Sequence, residues 1–304
     1  MPPPTPGARV VEVFRADSVV TDPKVALNPA AVRPMLDAAL ASLTDGAASP
    51  WSVLLPDCGP TARIGIKVNC LNQYLATSVP LVQALVASLM EGLGVEATRI
   101  TVWDRRLDEL TRAGFTGDAL NGVSVSGTVS STSDSSGPGY SKAICGVVAG
   151  KTPLLSRIIT EQTDLTINVP VLKTHVVSGI TAAFKNIYGI IDNPGDYHAN
   201  ANDALPALYA LPPIRNHLRL TLVDALIAVL TGGTSDPPDA QPRRIILGQD
   251  PLAVDSYCLA LANQLRAEFA QPPGDIDTSL LGWLDKAAEM GLGTRSYELV
   301  TVTQ

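Results

Sequence analysis

The chain has 304 residues, enough for two ordinary domains or one large α/β domain. Hydrophobic residues make up 46% and charged residues 17%, which supplies a real core and excludes both disorder and a small disulfide scaffold. Acidic residues outnumber basic ones 29 to 22, a formal charge of -7, and no run of Lys and Arg exceeds two. That balance argues against nucleic acid or an anionic membrane surface as a partner.

Taken in chain order, the first stretch, MPPPTPGARVVEVF, lacks a basic region followed by an apolar one. No export signal is read there, and a cytoplasmic protein is expected unless a signal has been trimmed away. A strand is predicted over 9–14 and a helix from Asn28-Pro29, where a capping side chain precedes a proline. A second strand over 63–68 leads to a helix starting at Thr77/Ser78 before Pro80 and ending at Gly92-Leu93-Gly94. The uncharged stretch 68–90 spans this region, but Asn69, Asn72, Gln73, Pro80 and Gln83 make it too polar to cross a membrane. Strands follow over 99–103 and 122–129, then a Ser/Gly-rich loop at 130–140, a strand over 165–171 and a helix opening at Ser178. Strands over 219–223, 244–247 and 297–302 complete the set, with a turn-rich loop at 231–242 and a helix from Asp250-Pro251.

Short apolar runs alternating with longer amphipathic ones predict an α/β fold, with a mainly parallel sheet flanked by helices. Two similar lobes around a cleft, 1–150 and 151–304, are one arrangement; a single continuous domain is the other. The echo between RIGIKVN at 63–69 and LTINVPVLK at 165–173 suits two lobes, although strands ending in lysine also arise by chance.

Ligand sites in parallel sheets form outside the carboxyl ends of the strands, so the polar residues there are the ones to collect. They are Lys67, Asn69 and Cys70; Asp104 with Arg105 and Arg106; Lys173, Thr174 and His175; and Asp224 and Asp250. The densest stretch, 168–198, places Thr181, Lys185 and Asn186 on one face of the helix expected after Ser178. Lysines beside a helix start suit an anion; a capped helix with a solvated lysine face explains the same spacing without one. His175 and His198 suit acid–base chemistry or metal binding, but a metal needs a third ligand from Asp104, Asp224, Asp250 or Cys70. His217, entering a strand, reads as structural. Cys70 stands where a nucleophile or cluster ligand could sit, although a buried or inert thiol is the reading that ranks first. The four cysteines, 58, 70, 145 and 258, show no C-x-x-C spacing and are expected to be reduced thiols. Asp250 and Asp255 read as a helix cap and a second acid one turn in. No G-x-G-x-x-G, Walker loop or G-x-S-x-G is present, so nucleotide and serine-hydrolase readings lack a motif.

On IKVN at 66–69, VPVLKTH at 169–175, FKNIYG at 184–189, His198, LVDAL at 222–226, DPLAVD at 250–255 and GLG at 291–293, the chain resembles the domain of unknown function 362 family over about 60–293. Members of that family are prokaryotic proteins, some with twin-arginine export signals and some fused to ferredoxin-type modules with two four-iron clusters. The resemblance singles out Lys67, Asn69, Lys173, His175, Lys185, Asn186, Gly189, His198, Asp224, Asp250 and Asp255, without assigning their roles. No ferredoxin module is present in this chain, so the iron–sulfur label of fused relatives does not carry over. Cys70 stands where a less reactive residue is expected. The strand, turn and helix at 62–94 also resemble the first lobe of nickel-pincer lactate racemase, a likeness of layout that assigns no nickel.

The function expected is an enzyme in which Lys67, Lys173 and Lys185 hold an anionic small molecule, with Asn69, Thr181 and Asn186 beside them. His175 or His198 would move a proton, with Lys173 in the same catalytic group, and Asp104 or Asp224 would orient an imidazole or a divalent metal. The alternatives are a redox-linked metal or iron–sulfur protein and a non-catalytic anion-binding module. A cluster ranks lower because the four cysteines lie in separate segments. The apolar composition permits a homodimer without requiring one.

Overall fold

Runs rich in Val, Ile and Leu that bury both faces become strands, and the alternation along them divides the core in two. The computed structural model describes residues 8–22 and 24–304. Residues 1–7, part of the stretch read for an export signal, lie outside the described residues. The strands are β1 (Ala8–Phe14), β2 (Val19–Val20), β3 (Ala26–Leu27), β4 (Ile64–Lys67), β5 (Ile100–Arg106), β6 (Ser124–Val129), β7 (Leu165–Asn168), β8 (Val171–His175), β9 (Gly179–Thr181), β10 (Leu218–Val229), β11 (Arg244–Gly248) and β12 (Tyr297–Thr303). The helices are α1 (Pro29–Leu43), α2 (Pro50–Leu54), α3 (Val79–Leu93), α4 (Leu107–Arg112), α5 (Ala183–Asn186), α6 (Ala201–Tyr209), α7 (Pro212–Arg215), α8 (Pro251–Ala267) and α9 (Gly282–Glu289).

One mixed, mostly parallel sheet runs in the order β12-β1-β11-β10-β7-β4-β5-β6, with β8 also on β10 and β9 on β8. The block from β10 to β6 is parallel, and β11 is antiparallel to both β10 and β1. Strands from both sides of residue 150 share this sheet: β7 lies beside β4, and β1 lies between β11 and β12. In β11, Ile245 and Leu247 face the cluster that holds Met35 of α1 and Leu85 of α3, while Ile246 faces the one that holds Leu208 of α6, Val254 of α8 and Trp283 of α9. No helix among the described residues is long and apolar enough to cross a membrane.

Three expectations change at the centre of the sheet. The strand expected over 165–171 stops at Asn168, because Pro170 has no N–H to give the ladder; the chain resumes as β8, shifted along β10. The helix expected from Ser178 is instead a turn and a strand. Gly179, at φ +72°, reverses the chain into β9, which lies antiparallel to β8 and sets Thr181 opposite Lys173. Only α5 remains helical, so Thr181 does not share a helix face with Lys185 and Asn186. Finally, β10 runs on to Val229, which puts Asp224 inside the strand rather than after it. The helices after Asn28, Ser78 and Asp250 begin where read, but only Asp250 caps its helix through its side chain; Asn28 and Ser78 make no side-chain cap, and Gly94 in the left-handed conformation ends α3.

Candidate active site

The carboxyl ends of β4, β5, β7 and β8 meet at one place, as parallel pairing of β4 with β5 and β7 requires. Lys67, the last residue of β4, is buried, and its ammonium donates to Asp104 Oδ1 at 2.6 Å and to the Val68 carbonyl at 2.7 Å. Asp104 also accepts from the backbone N–H groups of Cys70 and Arg105, both at 2.7 Å, so this carboxylate anchors the loop after β4. The turn at 187–190 passes directly over the pair. A Cβ on Gly189 would stand 2.6 Å from Lys67 Nζ and 2.9 Å from Asp104 Oδ1, so a larger residue there would have to displace the buried ion pair.

Beneath this pair runs a chain of amides. Lys173 Nζ donates to Asn69 Oδ1 at 2.7 Å, Asn69 Nδ2 to Asn186 Oδ1 at 3.0 Å, Asn186 Nδ2 to Asn168 Oδ1 at 2.8 Å, and Asn168 Nδ2 to the Ala183 carbonyl at 3.0 Å. Each amide spends one donor and one acceptor on its neighbours, which fixes all three orientations. Lys173 is wholly buried, and burial lowers its amine to about 8.

The three acids singled out besides Asp104 frame the site. Asp255, from α8, accepts from Ala183 N at 2.6 Å and Phe184 N at 2.9 Å, capping α5 from another helix; burial pushes its carboxyl up to about 7 despite these bonds. Asp224 accepts from Ser78 N at 2.8 Å and holds the start of α3, while burial raises its carboxyl. Asp250 caps α8 through Leu252 N and Ala253 N, both at 2.9 Å, and ties in the turn after Gly293 through Thr294 N at 2.9 Å. Both carboxylates expected to orient an imidazole or a metal, Asp104 and Asp224, are therefore committed to other partners.

The cavity itself has a volume of about 150 Å³ and is lined by Lys67, Asn69, Leu71, Asp104, Arg105, Arg106, Glu109, His175, Thr181, Lys185, Asn186, Tyr188, Gly189, Pro194, His198 and Thr234. Lys67 and Arg106 are paired with Asp104 and Glu109. Among the described residues, Lys185 and Arg105 have no carboxylate partner, and they leave the cavity cationic. Lys185, 8% exposed, lies 3.2 Å from His198 Nε2 and 3.6 Å above the Tyr188 ring. Burial, and then the charge of Lys173, lowers its amine to about 7. The cation–π contact favours the ammonium, so the site holds both forms near neutrality.

His175 stacks on His198 with ring centroids 5.8 Å apart, and its Nδ1 accepts from Val177 N at 3.1 Å. That bond places the proton of the neutral ring on Nε2. Burial, then Lys185, His198 and Lys173, push His175 down to about 3, and burial followed by Lys185 lowers His198. His175 is therefore neutral at neutral pH. Thr181 lines the cavity, and its Oγ1 is buried without a hydrogen-bond partner among the described residues.

The structure thus gathers Lys67, Asn69, Asp104, His175, Thr181, Lys185, Asn186 and His198 around one cavity, with Lys173 behind its wall, and leaves Asp224, Asp250 and Asp255 in the frame. Among the described residues no three His, Cys, Asp or Glu side chains form a group that could hold a metal. With its proton on Nε2, His175 has no lone pair there to give one. The cysteines are free, and Cys70 and Cys258 belong to cores on opposite faces of the sheet, so they do not suit an iron–sulfur cluster. Burial pushes the Cys70 thiol well above its ordinary value, away from the thiolate that a nucleophile or a cluster ligand requires. Sequence reasoning missed Asn168 and Tyr188 as site residues; both lie in the dense 168–198 stretch, and Tyr188 within FKNIYG, which was the available signal.

Fold and site together define a mostly parallel α/β protein with a cationic, imidazole-bearing cavity at its strand ends. Residues 64–260 match the family model described as "Domain of unknown function (DUF362)", and the chain belongs to that family. No protein of curated function matches it. Among the solved structures that are similar, two have a TM-score of 0.44 each. One is a Thermotoga maritima protein from the Northeast Structural Genomics Consortium, 13% identical, with 78% of this chain and 59% of that chain covered. The other is the lactate racemase apoprotein of Thermoanaerobacterium thermosaccharolyticum, 11% identical, with 76% and 54% covered. This chain therefore spans little more than half the length of either.

Proposed function

We propose that this chain is an enzyme that holds a small anionic molecule in the cavity and moves a proton on it, with His198 and Lys185 as the proton-carrying pair. The observation that carries the reading is the 3.2 Å contact between the Lys185 amine and His198 Nε2 inside a buried, cationic cavity. An amine held near 7 can give or take a proton at neutral pH, the condition for effective general acid–base catalysis. Arg105, which has no carboxylate partner among the described residues and is fixed by the Asp192 carbonyl and the Tyr140 hydroxyl, would bind the anionic group. His175, neutral with a donor at Nε2, is a second hydrogen-bond donor to the ligand. The tautomer of His175 favours this acid–base reading over a metal-centred one.

Proton transfer is read directly by hydrogen–deuterium exchange at carbon. Pyruvate, malonate and succinate incubated with the protein in D2O are expected to include at least one that exchanges above background by NMR. His198→Gln is expected to lose about 10²-fold or more of that rate, the usual worth of a positioned acid–base group. Saturable binding of these anions with no exchange by the wild type would leave a non-catalytic anion-binding module instead.

A further inference from the structure

Lys185 differs from the other lysines in surroundings, not only in burial. Its side chain lines the cavity, its nitrogen has an imidazole nitrogen at 3.2 Å, and it has no carboxylate partner among the described residues. Lys67, in the same cavity, is bound to Asp104; Lys173 is tied to Asn69 behind the wall; Lys151 is half-exposed and paired with Asp196. A desolvated amine next to a base is an arrangement that makes a lysine nucleophilic. On the cavity wall, the unpartnered Thr181 hydroxyl and Arg105 offer donors for an oxygen and a carboxylate.

We propose that Lys185 is a nucleophile that captures a small anionic carbonyl compound as an imine, with His198 carrying the protons. This rests on the function proposed above and narrows its substrate class to aldehydes or ketones bearing a carboxylate. The neutral amine attacks the carbonyl carbon, a C–N bond forms, and the carbonyl π pair moves onto oxygen. One proton then leaves nitrogen for His198 Nε2 and passes to that oxygen, giving a carbinolamine. The C–O bond breaks as the hydroxyl departs with a second nitrogen proton as water, and C=N closes. One amine and one carbonyl give one imine and one water, with no change of oxidation state. Burial supports the step, since the amine held near 7 is available unprotonated at neutral pH.

Glyoxylate with sodium cyanoborohydride, which reduces an imine to a stable secondary amine, tests the proposal on the full chain near pH 7. The expected result is a single carboxymethyl adduct mapped to Lys185 by peptide mass spectrometry. It should be absent from Lys185→Met and form at least about tenfold more slowly in His198→Gln. Malonate, an anion with no aldehyde or ketone, is followed in parallel by thermal shift. Stabilisation by malonate without an adduct at Lys185 would overturn the imine and leave the anion site standing. Neither stabilisation nor adduct would remove both. Labelling spread over exposed lysines at equal rates in wild type and Lys185→Met would also overturn the proposal; circular dichroism checks that both variants are folded.

Discussion

A buried amine that faces an imidazole rather than a carboxylate carries a free-energy cost, and at the residue scale that cost has a sign and a window. Lys185 is lowered from 10.5 to about 7 in the folded chain. Between those values the unfolded chain binds a proton that the native state does not, so stability rises with pH across the window; below about 7 the full penalty is present and constant. Lys173, lowered to about 8, acts in the same direction over a narrower range. Urea unfolding of wild type and Lys185→Met should therefore diverge in the wild type's favour between pH 7 and 9.5, by on the order of 2 to 3 kcal/mol, with no change below pH 6. A difference independent of pH would mean the amine stays charged throughout. Lys185, His175 and His198 were legible in the sequence because their types and clustering announce chemistry. Gly189 was marked only by resemblance. Its close approach to the Lys67 and Asp104 side chains is a tertiary contact, and no local pattern records that.

At the scale of elements, α5 is only four residues long and could not persist alone, since nucleating one helical turn costs more than its few bonds return. Asp255 of α8 holds it by accepting from two of its first N–H groups. Asp255→Ala would leave both donors buried and unpaired, at about 1 to 3 kcal/mol each. The variant should lose about 2 to 5 kcal/mol in urea unfolding and bind malonate more weakly, because α5 carries Lys185 and Asn186. Unchanged stability would mean that water replaces the carboxylate. The helix expected from Ser178 failed for a related reason. The spacing of Thr181 and Lys185 suits a helix, but Gly179 turns the chain so that Gly179–Thr181 pairs with β8, a contact set by tertiary structure. The start of α8 was legible because Asp250 and Pro251 are themselves the cap and the first helical residue.

For the whole molecule, the cavity draws Lys67, Asn69 and Asp104 from before residue 150 and Lys185 and His198 from after it. The two halves are joined through the sheet, where β4 pairs with β7 and β1 with β11. A protease site inserted after Ser135, in the exposed 130–140 loop, should therefore yield two fragments that co-elute on size exclusion after cleavage and still respond to malonate. Separation of the fragments would instead indicate two independently folded lobes. The amino-acid sequence by itself determined the fold class, most strands, the main helix starts and the residue types around the cavity, since periodicity, caps and strand-end residues are local properties of the chain. Tertiary structure alone decided the strand order, the reversal at Gly179 and the division of roles among the acids. Asp104 anchors a cation, and Asp224, Asp250 and Asp255 hold helix starts or loops, because a carboxylate's role is set by which donors the fold brings within 3 Å of it.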